Sequence, residues 1–140
     1  MRTRMLRCIP AFAVCLSLTV AAACGERASG GTSAVSVTDV ELGRSLKPDM
    51  TIGDKTDSFH ATDVVYVTVA TKGTGPATLK ARWVFEDNQF VAEDTQELSP
   101  TGPARTEFHL SKPTGLASGR YKVEIFLNDT SVGTKTFEVN

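Results

Sequence analysis

Cysteine is absent from most of this chain. The sequence has three cysteines, Cys8, Cys15 and Cys24, and none follows residue 24. The long C-terminal part therefore forms no internal disulfide and must be stabilised by packing alone. About 105 residues are enough for a single domain to fold without such a bond. We expect one packed domain.

Groups that carry out catalysis are also scarce. The sequence has only two histidines, His60 and His109, which are 49 positions apart. A catalytic histidine needs a nucleophile in an activating setting, and no Gly-x-Ser-x-Gly motif is present. Gly73-Thr74-Gly75 lacks the following lysine and helix of a phosphate-binding loop, so it is interpreted as a turn. The sequence predicts a protein that is not an enzyme and uses no cofactor.

The first 23 residues have the organisation of an export signal. Three arginines fall within the first seven residues, an apolar run covers residues 8–20, and three alanines precede Cys24. Segments of this kind are removed during export. An uncleaved transmembrane helix fits less well, because spanning a bilayer core takes about 20 apolar residues. Residues 8–23 are fewer than that and include Pro10.

Cys24 and the residues before it resemble the lipid attachment site of bacterial lipoproteins. The stretch is Val20-Ala21-Ala22-Ala23-Cys24, and the family usually has leucine where this sequence has Ala21. The resemblance implies cleavage before Cys24, lipid on its thiol, and anchoring of the protein to a membrane of the cell envelope, facing the periplasm or the exterior. An ordinary secretory cut after Ala23 would release the same chain without lipid, and that alternative stays open.

The mature chain would begin with a flexible tether and carry a negative charge. Residues 24–34 are mostly small and polar, as in flexible linkers. Removing the signal takes away three of the 15 Lys and Arg and none of the 16 Asp and Glu, which leaves a formal charge of −4. This charge argues against nucleic acid or an anionic membrane surface as an electrostatic partner.

Four aspartates fall between the first two predicted strands, where a metal site could form. Calcium binds several oxygen ligands that converge on one point. The spacing of these acids matches no EF-hand or comparable loop. We expect solvated loop acids and no metal site. The residues are Asp49, Asp54, Asp57 and Asp63.

Apolar residues after the tether recur with a period of two, which predicts β-strands. In one example, Phe108 and Leu110 alternate with polar residues that include His109. No segment shows a helical stripe, and turns rich in Gly, Pro and Asn separate the strands. About seven strands predict an all-β sandwich of two antiparallel sheets over residues 35–140. The predicted strands cover residues 35–42, 63–70, 79–85, 90–98, 106–110, 121–127 and 135–139.

The end of the chain is similar to immunoglobulin-like domains of bacterial exported proteins. The similarity rests on FHLSKP at 108–113, GRYKVEI at 119–125 and FEV at 137–139. It implies that Tyr121 forms a tyrosine corner and that Trp83 is the buried tryptophan of the third strand.

The bridging cysteines of immunoglobulin domains are absent from this chain. Val123 stands at one of their positions, and Val67 or Val69 is the counterpart implied by the resemblance. Aliphatic packing would then take the place of the disulfide.

Val84 and Phe126 form a candidate binding site. Both fall on the outward phase of strands that are neighbours in an immunoglobulin-like sandwich. Exposed apolar pairs mark binding faces, although isolated apolar residues are common on protein surfaces. Trp83 and Tyr121 lie on the apolar phase of their strands and are therefore predicted to be core residues rather than ligand-stacking aromatics.

These features predict a noncatalytic, lipid-anchored module of the cell envelope that presents an immunoglobulin-like domain to a protein or another extracytoplasmic ligand. An inhibitor or sensor of an exported protein, acting through residues 112–118, is an alternative. A secreted domain without lipid, or a small enzyme, is another. The binding role follows from fold analogy alone. The predicted sites are lipidation at Cys24 and binding at Val84 and Phe126, with no catalytic or metal-binding residue.

Overall fold

The computed structural model of the chain describes residues 34–140, which contain eight strands and no helix. The strands are β1 Ser36–Gly43, β2 Ser58–Phe59, β3 Val65–Lys72, β4 Ala77–Phe85, β5 Gln89–Leu98, β6 Ala104–Leu110, β7 Gly119–Leu127 and β8 Thr130–Val139. The predicted signal peptide (1–23), Cys24 and the tether up to residue 33 lie outside the described residues. Within 34–140 no helix could cross a membrane.

The strands form two sheets, with the orders β1-β3-β6 and β2-β8-β7-β4-β5. Every pair is antiparallel except β2 with β8, where Ser58 and Phe59 run parallel to Glu138 and Val139. The apolar faces of the two sheets pack against each other and form the core. The predicted all-β immunoglobulin-like sandwich is confirmed, with one short strand more than expected.

Alternation along the central strands places their apolar side chains in the core. In β7, every second residue from Tyr121 to Leu127 is buried, while the residues between them are partly exposed. Val67, Val69 and Val123 are all fully buried. Aliphatic packing therefore occupies the region in which immunoglobulin domains place a disulfide, as predicted.

The aromatic residues of the core pack around Phe137. Trp83 meets its ring edge-on, with 6.0 Å between centroids and 79° between planes. Tyr121 stacks on it at 5.2 Å and 11°. Trp83 and Tyr121 are only 1% and 2% exposed, which confirms that both are core residues.

Tyr121 also fixes the loop that precedes its strand. Its phenol donates a hydrogen bond to the carbonyl oxygen of Ala117 at 3.0 Å. Burial raises the pKa of Tyr121, so the phenol keeps the proton that it donates. In the same loop Leu116 is buried, and its N–H bonds to the carbonyl of Ala61 at 2.7 Å. The predicted tyrosine corner is present.

Two elements differ from the predicted strands. Asn128 and Asp129 both have positive φ, which makes a two-residue hairpin turn and starts β8 at Thr130 instead of residue 135. The additional strand β2 lies in the long connection after β1. Its Phe59 is fully buried and meets Phe137 edge-on at 5.3 Å. Two residues are too few to give a strand pattern in the sequence.

Candidate binding surface

The structure separates Val84 from Phe126. Between β4 and β7, Val84 pairs with Lys122, whereas Phe126 pairs with Lys80. Val84 is only 2% exposed, so its predicted exposure is wrong. It does lie on the outer face of the sheet, between Lys122 on one side and Phe90 of β5 on the other. Cross-strand neighbours on one face contact each other, and these two cover the smaller valine.

Phe126 is partly exposed, but a cation covers its ring. The Nζ atom of Lys80 lies 5.0 Å from the ring centroid, within the range of a cation–π contact. The same Nζ forms an ion pair with Asp129 at 3.3 Å. The predicted apolar spot is therefore not formed by this pair of residues. A binding role for Phe126 stays a prediction, without Val84 beside it.

Phe90 is the large apolar side chain that this face does expose. It is 58% exposed, more than Met50 at 37% or Val132 at 39%. Leu98 faces the core, because it pairs with the buried Ala77. If side chains alternated strictly between the two faces back from Leu98, Phe90 would also lie on the inner face. A bulge at Val91 shifts the register, and Phe90 pairs with Val84 on the outer face instead. Sequence analysis missed Phe90 because a period of two cannot show a bulge.

Strand β5, which carries Phe90, forms an edge of the five-stranded sheet. Within residues 34–140 it pairs only with β4. An edge strand leaves the N–H and C=O groups of alternate residues without a strand partner. The side chain of Gln96 donates a hydrogen bond to the carbonyl oxygen of Glu107 in β6 at 2.6 Å, which fixes β5 to the other sheet. We name residues 89–98 the β5 edge.

The net negative charge of the described residues lies on the β5 edge and the turn before it. Residues 34–140 contain 15 of the 16 acids and 11 of the 15 Lys and Arg, because Glu26 and four arginines precede them. Residues 86–98 contain five acids and no Lys, Arg or His. The remainder therefore has 10 acids and 11 Lys and Arg, a formal charge of +1. The five acids are Glu86, Asp87, Glu93, Asp94 and Glu97.

Three of the loop acids that could have formed a calcium site contact other groups, and two of them, Asp54 and Asp63, share the guanidinium of Arg44. The carboxylate of Asp63 accepts a hydrogen bond from the His60 N–H and pairs with Arg44 at 3.3 Å, and these contacts lower its pKa. The side chain of Asp49 bonds the hydroxyl and N–H of Thr51, which lowers the pKa of Asp49. No group of three or more His, Cys, Asp or Glu within 34–140 could hold a metal ion.

The two histidines lie beside different carboxylates. His60 is 3.4 Å from Asp63 and His109 is 2.7 Å from Glu107, with the side chains of both histidines largely exposed. A groove of about 680 Å³ lies between β1 and β8, and neither histidine lines it. Its residues come from β1, β8 and the segment from Lys55 to Asp57. Among the described residues, the histidines therefore do not form one site.

Glu41 forms an ion-pair cluster on the outer face of the three-stranded sheet. Its carboxylate accepts a hydrogen bond from Lys55 and lies 3.4 Å from Nη1 of Arg105. The hydrogen bond from Lys55, together with the charges of Lys55 and Arg105, lowers the pKa of Glu41. Thr68, its neighbour in the register, is fully buried. The cluster links β1, β6 and the loop that contains Lys55.

The two sheets and the tyrosine corner define an immunoglobulin-like domain, and solved structures with a similar fold are known. One is an alkylpurine DNA glycosylase from Pseudomonas fluorescens bound to DNA containing an abasic site analog, with a TM-score of 0.50 and 14% identity over 76% of this chain. This chain covers only 30% of that glycosylase. Another is an immunoglobulin-like protein from Pseudomonas aeruginosa, with a TM-score of 0.49 and 17% identity over 76% of this chain and 96% of that one.

At these identities the similarity concerns the fold alone. No protein-family model and no curated protein matches this chain.

Proposed function

We propose that this protein is a noncatalytic binding module, anchored to the cell envelope by lipid on Cys24, that presents its immunoglobulin-like domain to another extracytoplasmic protein. The observation that carries the binding role is the β5 edge, which combines an unpaired strand edge with an exposed aromatic residue, Phe90. Aromatic residues are enriched among the anchors of protein interfaces. The anchoring follows from the export signal and from Cys24 behind it.

The point at which the described chain enters the domain supports this arrangement. The described chain enters the domain at Ala34, directly before β1. Strand β1 lies beside β8 across the sandwich, whereas β5 lies beside β6, to which Gln96 bonds. The anchored strand and the β5 edge are therefore on opposite lateral sides of the sandwich. A membrane-tethered domain would leave the β5 edge accessible to a partner.

An inhibitor or sensor that uses residues 112–118 is a second candidate. Lys112, Pro113 and Thr114 are exposed, while the hydrogen bonds of Leu116 and Ala117 hold the loop on the core. A rigid, exposed loop loses little conformational entropy on binding, which favours insertion into a partner. This candidate differs from the first in the surface that makes the contact.

The anchoring is tested by expressing the protein and a Cys24→Ala variant in a bacterium, followed by membrane fractionation and intact-mass measurement. We expect a membrane-bound species heavier by lipid, which the variant lacks. Cys15→Ala is the matched control, because Cys15 lies in the segment that cleavage removes and its loss should change nothing. A soluble native product of plain mass, beginning at Cys24, would contradict the anchoring.

The binding is tested by placing a photo-crosslinking amino acid at Phe90 or at Thr114 in the same cells. An adduct with a second protein from position 90 alone supports binding through the β5 edge. An adduct from position 114 alone supports the inhibitor or sensor. The absence of adducts from both positions would contradict a protein-binding module.

A further inference from the structure

We propose that the β5 edge binds an extended, Lys- or Arg-bearing segment of its partner, which adds a sixth strand to the five-stranded sheet. This inference rests on the proposed binding function and specifies the chemistry of the partner. It follows from the backbone of β5, from the absence of ion pairs on its acids and from the spacing of these acids along the strand.

The backbone of β5 is suited to strand addition. Its ten residues include no proline and no glycine, and the bulge is confined to Val91. From Ala92 to Leu98 the pairing with β4 is regular. A peptide that adds to such an edge gains main-chain hydrogen bonds along its length, while alternate side chains provide specificity. Seven regular residues match the usual length of a strand.

The acids of β5 form no ion pair within residues 34–140, although Glu93 lies opposite Arg82 of β4 in the register. Within residues 34–140, the side chains of Glu93, Asp94 and Glu97 form no hydrogen bond or ion pair. By contrast, Glu41 is paired with Lys55 and Arg105. Charged side chains on an edge strand oppose pairing with arbitrary strands. They leave a strand of opposite charge as the favoured partner.

A second copy of this chain does not fit that requirement. Antiparallel pairing of two β5 edges, centred on Thr95, would place Glu93 of each copy opposite Glu97 of the other. Like charges directly opposite on paired strands are destabilising. The same acids that attract a cationic strand therefore repel another copy of β5.

The spacing of the acids predicts where the partner strand carries its positive charges. Glu93, Thr95 and Glu97 pair with the outward residues of β4 and so share the outer face. Four residues of extended chain put Glu93 and Glu97 about 13 Å apart along the strand. A partner strand with Lys or Arg at positions i and i+4 would face both acids. An apolar residue near its end would contact Phe90.

The test uses the purified protein and two ten-residue peptides of alternating valine and threonine. One peptide carries lysine at positions 2 and 6, and the other carries glutamate there. Titration of the protein with each peptide measures the affinity, and amide hydrogen exchange of the protein locates the bound peptide. We expect the lysine peptide to bind and to protect alternate amides of residues 92–98. We expect no protection by the glutamate peptide.

A double variant tests the role of charge. Glu93→Gln with Glu97→Gln should weaken binding of the lysine peptide about 2- to 30-fold, because two exposed ion pairs are removed. Glu138→Gln is the matched control, since Glu138 is an exposed acid of β8 on the far side of the same sheet. The Glu138→Gln variant should bind the lysine peptide with the same affinity as the native protein. Unfolding curves of all variants check that the fold is retained.

Three results would overturn the inference. The first is equal affinity for the lysine and glutamate peptides, and the second is protection outside β5. The third is protection of β5 that rises with protein concentration without peptide, which would make a second copy the occupant. If position 90 still crosslinks to a partner in cells, the proposed binding function stands and only the strand addition fails. If it does not crosslink either, both proposals fail.

Discussion

Two glycines in one turn provide a direct test of how the start of the domain packs. Gly73 and Gly75 both have positive φ, at 106° and 107°. A Cβ atom on Gly73 would lie 1.9 Å from the carbonyl oxygen of Ala34 and 3.1 Å from Cα of Val35. A Cβ atom on Gly75 would meet nothing within 4 Å. The two alanine variants therefore share backbone strain and differ in one steric contact.

The expected loss of stability in each variant follows from that difference. Strained φ costs about 1–3 kcal/mol in either variant, and the reduced freedom of the unfolded chain offsets about 0.4–1 kcal/mol. Gly73→Ala must also displace the backbone at Ala34, at a cost of about 1–3 kcal/mol for overpacking. We expect Gly73→Ala to be about 2 kcal/mol less stable than Gly75→Ala. For a domain of this size each kcal/mol shifts Tm by about 4–8 °C, which gives a gap of roughly 10 °C.

Urea unfolding of the native protein and both variants measures the difference in the free energy of unfolding. Hydrogen exchange should also show weaker protection of β1 in Gly73→Ala only, because the displaced contact lies at the start of that strand. Equal destabilisation by the two substitutions, within about 0.5 kcal/mol, would refute the reasoning. Backbone strain alone would then explain both effects.

Two further predictions concern single side chains. Tyr121→Phe should lower the free energy of unfolding by about 1 kcal/mol in urea titration, because it removes the hydrogen bond to Ala117 and keeps the ring. No change would mean that water replaces this bond. The lowered pKa of Glu41 stabilises the fold above the ordinary value of 4.5, and this contribution disappears as pH falls through the lowered value. Glu41→Gln should therefore lose less stability between pH 7 and pH 3 than the native protein, and an equal loss would contradict this role.

The sequence alone was sufficient to predict where most strands lie and which aromatic residues form the core. Alternation depends on the local geometry of a strand, in which successive side chains point to opposite faces, so it is visible without any partner. Trp83 and Tyr121 were predicted correctly as core residues for this reason. The export signal and the lipid on Cys24 also rest on local patterns, and they stay predictions.

Only the tertiary structure decided which residues are exposed on the five-stranded sheet. Burial of Val84 depends on Phe90 and Lys122, which come from other strands. The outward position of Phe90 depends on the bulge at Val91, a register shift that exists only in the pairing of β4 with β5. The open edge of β5 likewise depends on the order of strands in the sheet. Pairing is a long-range property, so a pattern read along one strand cannot contain it.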